Sequence, residues 1–179
     1  MSRVINGDWI SAYLKYTEET ESPISYHTWT AVSMISGALQ RKCSMQWGLE
    51  TIYPNMFVIL VGSAGRTRKS LAINIGQEIF KAIELPVVSE AITPEALLVK
   101  MQKSESQYID YQGLVHIHSS LTCFSKELVT LLGHGNYKFL GYLTDWWDAH
   151  DKWVYETIAR KEDSIIGMYL NILGATAPD

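Results

Sequence analysis

The sequence is short of several things, and each shortage narrows what the chain can be. No apolar run approaches the ~18 residues that a membrane-spanning helix needs, and no basic-then-apolar leader opens the chain. A soluble protein of the cytoplasm, without a membrane partner, is the expectation. Cysteine is scarce: Cys43 and Cys123 stand 80 positions apart (123 − 43) and read as small core residues in a reducing compartment rather than as a disulfide. Strong charge is missing too. Lys and Arg number 15 against 19 Asp and Glu, a net −4, so there is no bulk electrostatic case for nucleic acid; any DNA contact would come from a local patch or from neighbouring subunits. His116 and His118 alternate along one side of an apolar stretch, but no Cys-x-x-Cys or nearby acidic pair completes a metal set, and they read as structural or solvent-facing. What is present is globular: 179 residues, 47% hydrophobic and 19% charged, enough for one substantial core.

The chain is organised around Met56 to Ser70, MFVILVGSAGRTRKS. Met56 to Val61 is an apolar, β-branched run with the length of a strand covered on both faces. Gly62, Ser63, Ala64 and Gly65 are small; Arg66, Arg68 and Lys69 are basic, with Thr67 between them. From Ser70 the apolar spacing of Leu71, Ala72, Ile75, Ile79 and Ile83 predicts a helix with one buried face. Strand, small basic loop, helix is an arrangement suited to phosphate: small residues let the backbone N–H groups point inward, and a helix start adds free N–H groups and partial positive charge. Lys69 would reach the β- and γ-phosphates and the Ser70 hydroxyl would bind Mg²⁺. The pattern G-x-x-x-x-G-K-[ST] is broken twice, since Arg68 stands where the second glycine belongs and the loop counted from Gly62 is one residue too long. A glycine turn with solvated cations is the other reading, and it leaves the basic residues unexplained.

Along the rest of the chain, Asn6 to Thr20 reads as a short helix, and a Glu-rich break at Glu18, Glu19 and Glu21 leads to Ser22-Pro23 as N-cap and first-turn proline of a second. Arg41 and Lys42 close that helix with charges suited to its dipole. Residues 1–42 form a helical cap, and 43–179 the core. Cys43 to Tyr53 turns around Gly48 as a hairpin, and Pro54-Asn55 leads into the central strand. Leu85 to Val88 is a short strand, Thr93-Pro94-Glu95 starts a helix, and the polar stretch from Gln102 to Gln112 reads as an exposed loop. Leu121 to Phe124 is a second buried strand running into a helix through Leu132, and Tyr137 to His150 is an amphipathic helix with Asp145 and Asp148 on its polar side. Trp153 to Thr157 alternates as a strand, Arg160 to Asp163 is its polar turn, and Met168 to Gly174 is a third buried strand.

Two further residues bear on chemistry. Glu127 follows the strand Leu121 to Phe124, where open α/β sheets bind ligands, and could hold a water beside a γ-phosphate; it could equally be a first-turn carboxylate favoured by a helix dipole. Asn171 is the polar member of an apolar strand, and a buried amide needs partners, of which a γ-phosphate or its attacking water would be one.

Taken together, YPN, GSAGRTRKS with Arg-Lys in place of Gly-Lys, HSSLTCFSKEL, LTDWWD followed by KWVYET, and NILGATAP resemble the P-loop ATPases of phage or prophage primase/helicase-like replication proteins, over nearly all the chain from Tyr26 onward. That resemblance implies an α/β, RecA/AAA-like core with a mostly parallel sheet, Mg-ATP as ligand, assembly into rings or filaments on DNA, and a bacterial host cell as its setting. It implies phosphate binding by Gly62, Gly65, Arg68 and Lys69 within the loop, metal binding by Ser70, a catalytic acid in Glu127 and γ-phosphate sensing by Asn171. The reading that follows is an ATP-hydrolysing engine; a nucleotide-binding or assembly module without turnover, and a structural domain with a vestigial loop, stay open beside it. Since such cores continue beyond the sensing strand, the chain is expected to be the N-terminal part of a longer protein, its last strand leaving apolar surface exposed or covered by a second copy and its arginine finger elsewhere, with Arg160 a weak local candidate.

Overall fold

The computed structural model describes residues 7–89, 92–133, 135–157 and 160–178. The chain enters through α1 (Trp9–Tyr16), capped by the Asp8 carboxylate, which accepts from the Ser11 N–H at 2.9 Å. Asn6, the expected helix start, lies outside the described residues. In α2 (Ile24–Leu39) Pro23 takes the cap position, and Ser22, the expected cap, instead donates its hydroxyl to the Arg68 carbonyl at 2.7 Å. The helix ends at Gln40 with φ 53°, and a 3₁₀ turn (Gln40–Lys42) carries Arg41 inward. Arg41 therefore does not serve the helix dipole from solvent. Its guanidinium is buried, donates to the carbonyls of Ala149, His150 and Met168, pairs with Asp151 and lies 4.0 Å over the Tyr53 ring. A buried guanidinium needs that many acceptors.

The hairpin β1 (Met45–Trp47) and β2 (Glu50–Ile52) turns at Gly48, φ 62°, as its sequence predicts. After it come β3 (Phe57–Val61), α3 (Lys69–Ala82), β4 (Val87–Ser89) and α4 (Pro94–Lys103), the last capped by the Thr93 hydroxyl accepting from the Ala96 N–H at 3.2 Å. Next are β5 (Glu105–Ile109), β6 (Val115–Ser125), α5 (Leu128–Leu132), α6 (Tyr137–Trp147), β7 (Lys152–Thr157), β8 (Arg160–Ile166) and β9 (Met168–Thr176). The fold is α/β with a mixed, mostly parallel central sheet: β3, β9, β6 and β4 lie side by side in that order, all parallel, and β5 runs antiparallel to the first half of β6. Helices α1 to α3 cover one face, where Tyr13, Met34, Ile73 and Phe80 meet Val58, Leu60, Phe124 and Leu173. On the other, Met101, Leu131, Phe139 and Trp146 from α4 to α6 meet Leu121, Leu170 and Ile172. Each large side chain buried in these layers stabilises the fold by ~1.5–3 kcal/mol.

Several expectations need correction. The run at Phe57 is an edge strand, not the central one: β9 is its one sheet neighbour among the described residues, Val58 and Leu60 are buried, and Ile59 and Val61 are 46% and 52% exposed. Nor does the last strand leave apolar surface open, because β9 lies between β3 and β6 with Met168 to Ala175 all buried. The apolar run of β3 is covered on one face only, and such a run does not show which of two strands is inside. The polar stretch expected as a loop contains β5, whose residues are mostly exposed, so no apolar alternation marks it. The two apolar stretches around His118 and Cys123 are one strand of 11 residues. Positions 160–163 belong to β8 rather than to a turn; residues 158 and 159, and the Arg160 side chain, lie outside the described set. Cys123 is a core residue with its thiol pushed up to about 12 by burial, whereas Cys43 is exposed. No helix among the described residues is long and apolar enough to cross a membrane.

Candidate functional site

The loop leaves β3 at its C-terminal end and is held on three sides. The Gly62 N–H donates to the Thr176 carbonyl of β9 at 3.2 Å, the Tyr26 hydroxyl of α2 donates to the Val61 carbonyl at 2.7 Å, and the Thr67 hydroxyl donates to the Ser63 carbonyl at 3.2 Å. Gly62 is required by space: a Cβ there would lie 2.3 Å from the Tyr26 hydroxyl oxygen and 2.7 Å from that of Thr67. Gly65 is required by conformation, with φ 71°. Arg68, where the phosphate-loop pattern has glycine, adopts the left-handed geometry that explains the pattern, φ 49° and ψ 34°. A side chain there costs ~1–2 kcal/mol, and the Ser22 hydroxyl secures the backbone by its bond to the Arg68 carbonyl.

Beyond Arg68, α3 begins, and the Lys69 ammonium folds back to donate to the carbonyls of Gly62 at 2.5 Å and Ser63 at 3.3 Å. Ser70 is exposed on the first turn. From the other side, β6 ends at Ser125, whose hydroxyl donates to the Glu127 carbonyl at 3.1 Å, and Glu127 stands exposed at the start of α5. These pieces enclose one cavity of about 600 Å³, lined by Ala64, Gly65, Arg68, Lys69, Ser70, Leu71, Asn74, Glu127 and Ala177, with Glu19, Thr20 and Glu21 from the α1–α2 connection. It lies at the C-terminal ends of β3 and β6, the location at which parallel α/β sheets carry ligands. Gly62, Ser63, Arg66 and Thr67 are not among its lining.

Four cavity residues escaped sequence reasoning in whole or part. Glu19 and Glu21 were legible only as a charged break, and Thr20 not at all, because their approach to the loop depends on how α2 docks. Asn74 could have been found: it stands four positions after Ser70, one helical turn along the same face. Glu21 accepts from the Arg68 guanidinium, Nε to Oε2 at 2.6 Å. The cavity thus carries two cations and three carboxylates from Glu19, Glu21 and Glu127.

Asn171 is not brought to this cavity. It sits mid-strand in β9, fully buried, its carbonyl accepting from the Ser36 hydroxyl at 2.8 Å and the Met56 N–H at 3.1 Å, its amide donating to the Ser33 carbonyl at 3.0 Å and hydroxyl at 3.2 Å. The partners its burial demands are supplied by α2 and by the entry to β3, so no phosphate is needed to satisfy it.

A second cavity of about 610 Å³ opens at the opposite ends of the same strands, between the β1–β2 hairpin and the end of α6. Its one cation, Arg41, is engaged as described above and faces the carboxylates of Glu50, Asp148 and Asp151 in the same lining, a charge balance that disfavours an anion. Among the described residues no group of three His, Cys, Asp or Glu side chains could hold a metal by itself. No protein-family model matches the chain, and no curated protein matches it significantly.

Proposed function

We propose that the cavity at the loop binds ATP with Mg²⁺ and that the chain is the ATP-hydrolysing engine of a phage-type replication protein of the primase/helicase-like kind. The observation that carries this is the convergence of Lys69, Arg68 and Ser70 from the end of β3 with Glu127 from the end of β6 on one cavity of about 600 Å³, a size typical of small-molecule sites. Lys69, released from the Gly62 and Ser63 carbonyls, and the free N–H groups of α3 would bind the phosphates. The Ser70 hydroxyl is a hard oxygen donor of the kind Mg²⁺ takes together with phosphate oxygens. Bound there, the ion would neutralise phosphate charge. Glu127 would orient the attacking water, so the protein's part is positioning and charge stabilisation. Ring or filament assembly, and DNA contact through it, belong to the same proposal and rest on the resemblance alone.

The engagement of Asn171 inside the fold favours a second reading, binding without turnover, because it removes one of the two polar groups expected around the γ-phosphate. One experiment separates the two. Titration of a fluorescent ATP analogue and measurement of phosphate release are made on the wild type, Lys69→Ala and Glu127→Gln. Lys69→Ala should lose a charge-assisted contact of ~1.5–3 kcal/mol, about ten- to a hundredfold in affinity. Glu127→Gln should bind as the wild type does and release phosphate about a hundredfold more slowly. Equal affinity in Lys69→Ala would remove the site; wild-type binding with no phosphate release would leave the second reading.

A further inference from the structure

The Arg68–Glu21 pair couples the phosphate loop to a segment of the chain that the loop's own chemistry does not require. Arg68 and Glu21 are 55% and 70% exposed, so water screens the pair, and such pairs contribute little to stability. Both residues line the same cavity as Lys69, so carboxylate and phosphate would compete for one guanidinium in one solvent-filled space. The backbone around the pair is fixed independently, by the Ser22 hydroxyl on the Arg68 carbonyl at 2.7 Å and by Thr20 Oγ1, which lies 2.6 Å from His27 Nε2. The Glu21 side chain can therefore let go while the segment that carries it stays docked. Guanidinium binds phosphate in the same bidentate manner as carboxylate, and a phosphate chain brings more charge than one carboxylate.

Resting on the proposed phosphate site, we propose that Glu21 is an internal competitor for Arg68: a phosphate group entering the cavity takes the guanidinium from Glu21, and the carboxylate thereby sets the affinity threshold of the site. The exchange makes Glu21 a specificity-determining residue. It disfavours weak anions that cannot displace it and admits a polyphosphate that can.

The test is a double-mutant cycle on the full chain with Glu21→Gln, Arg68→Ala and the pair, read by titration of a fluorescent ATP analogue with Mg²⁺ and of inorganic tripolyphosphate by calorimetry. Glu21→Gln should tighten binding about two- to fivefold, the range set by an exposed ion pair, and the gain should vanish when Arg68 is already alanine. An equal gain in both backgrounds would mean that Glu21 acts by general repulsion, and no gain or a loss would mean that it holds Arg68 in position; either overturns the exchange. If tripolyphosphate binds in a Lys69-dependent way and the nucleotide does not, the nucleotide reading fails while the cycle decides the exchange on tripolyphosphate. If neither binds, both fall.

Discussion

Asn171 binds helix to sheet. Its hydrogen bonds tie β9 to Ser33 and Ser36 of α2 and to the Met56 N–H at the start of β3, and the single Ser36 hydroxyl proton is shared between Asn171 and the Pro54 carbonyl, whose oxygen lies 2.6 Å away. Replacing Asn171 by alanine leaves the Met56 N–H without its side-chain acceptor and opens a small void, so we expect a loss of about 2–4 kcal/mol. Urea unfolding should show the lower midpoint, while titration of the ATP analogue should show unchanged affinity. A variant that kept its stability and lost affinity would return Asn171 to a role at the phosphates. In the sequence this residue was legible as a buried amide in need of partners. Which partners it has could not be read there, since Ser33 and Ser36 lie 138 and 135 positions away.

At the scale of elements, the approach of α2 to the sheet is set by a residue without a side chain. A Cβ on Gly37 would lie 2.5 Å from Thr122 Oγ1 and 2.9 Å from Phe80 Cζ, whereas Gly141 in α6 has nothing within 4 Å. Both are helical glycines, so alanine gains helix propensity of ~1 kcal/mol at either, but at Gly37 overpacking of ~1–3 kcal/mol opposes it. Thermal melts should show Gly37→Ala less stable than the parent and Gly141→Ala more stable. Equal stabilisation by both would mean that α2 can shift outward freely. The elements themselves were largely legible: α3, α4, α6, β9 and the hairpin at Gly48 follow from apolar spacing, caps and turn residues. So were Lys69, Ser70 and Glu127 as residues facing a common site, because strand-loop-helix order places them at the same end of a parallel sheet. Lateral order was not legible, and so β3 was misjudged as central. Likewise β5 lies at the fringe of the sheet, where no covered face imposes alternation, and the α1–α2 connection reaches the loop through tertiary packing alone.

Over the whole molecule, two buried imidazoles link stability to pH. Burial holds the His27 ring below its ordinary value, and burial together with the nearby Lys42 and Arg41 cations does the same to His118. His27 Nδ1 and His118 Nε2 have no hydrogen-bond partner among the described residues. Each ring binds a proton less readily folded than unfolded. Between the depressed folded values and about 6.5, the unfolded chain therefore takes up more protons, and stability falls as pH drops through that window. Melting temperature should be lower at about pH 5.5 than at about pH 7.5, and His27→Gln should flatten the difference. A pH-independent melt would mean that both rings gain an acceptor on protonation.

The strand that carries the loop from Gly62 to Ser70 is also the strand whose outer edge has no neighbour among the described residues. Its sequence, Phe57 to Val61, has neither charge nor proline to blunt that edge. Growth of a sheet from this edge would begin at the root of the loop, so the conformation of Gly62 to Ser70 and any pairing of this edge with another chain would be two properties of one strand. A ligand that binds the loop only while this edge is unpaired would then oppose such growth by mass action.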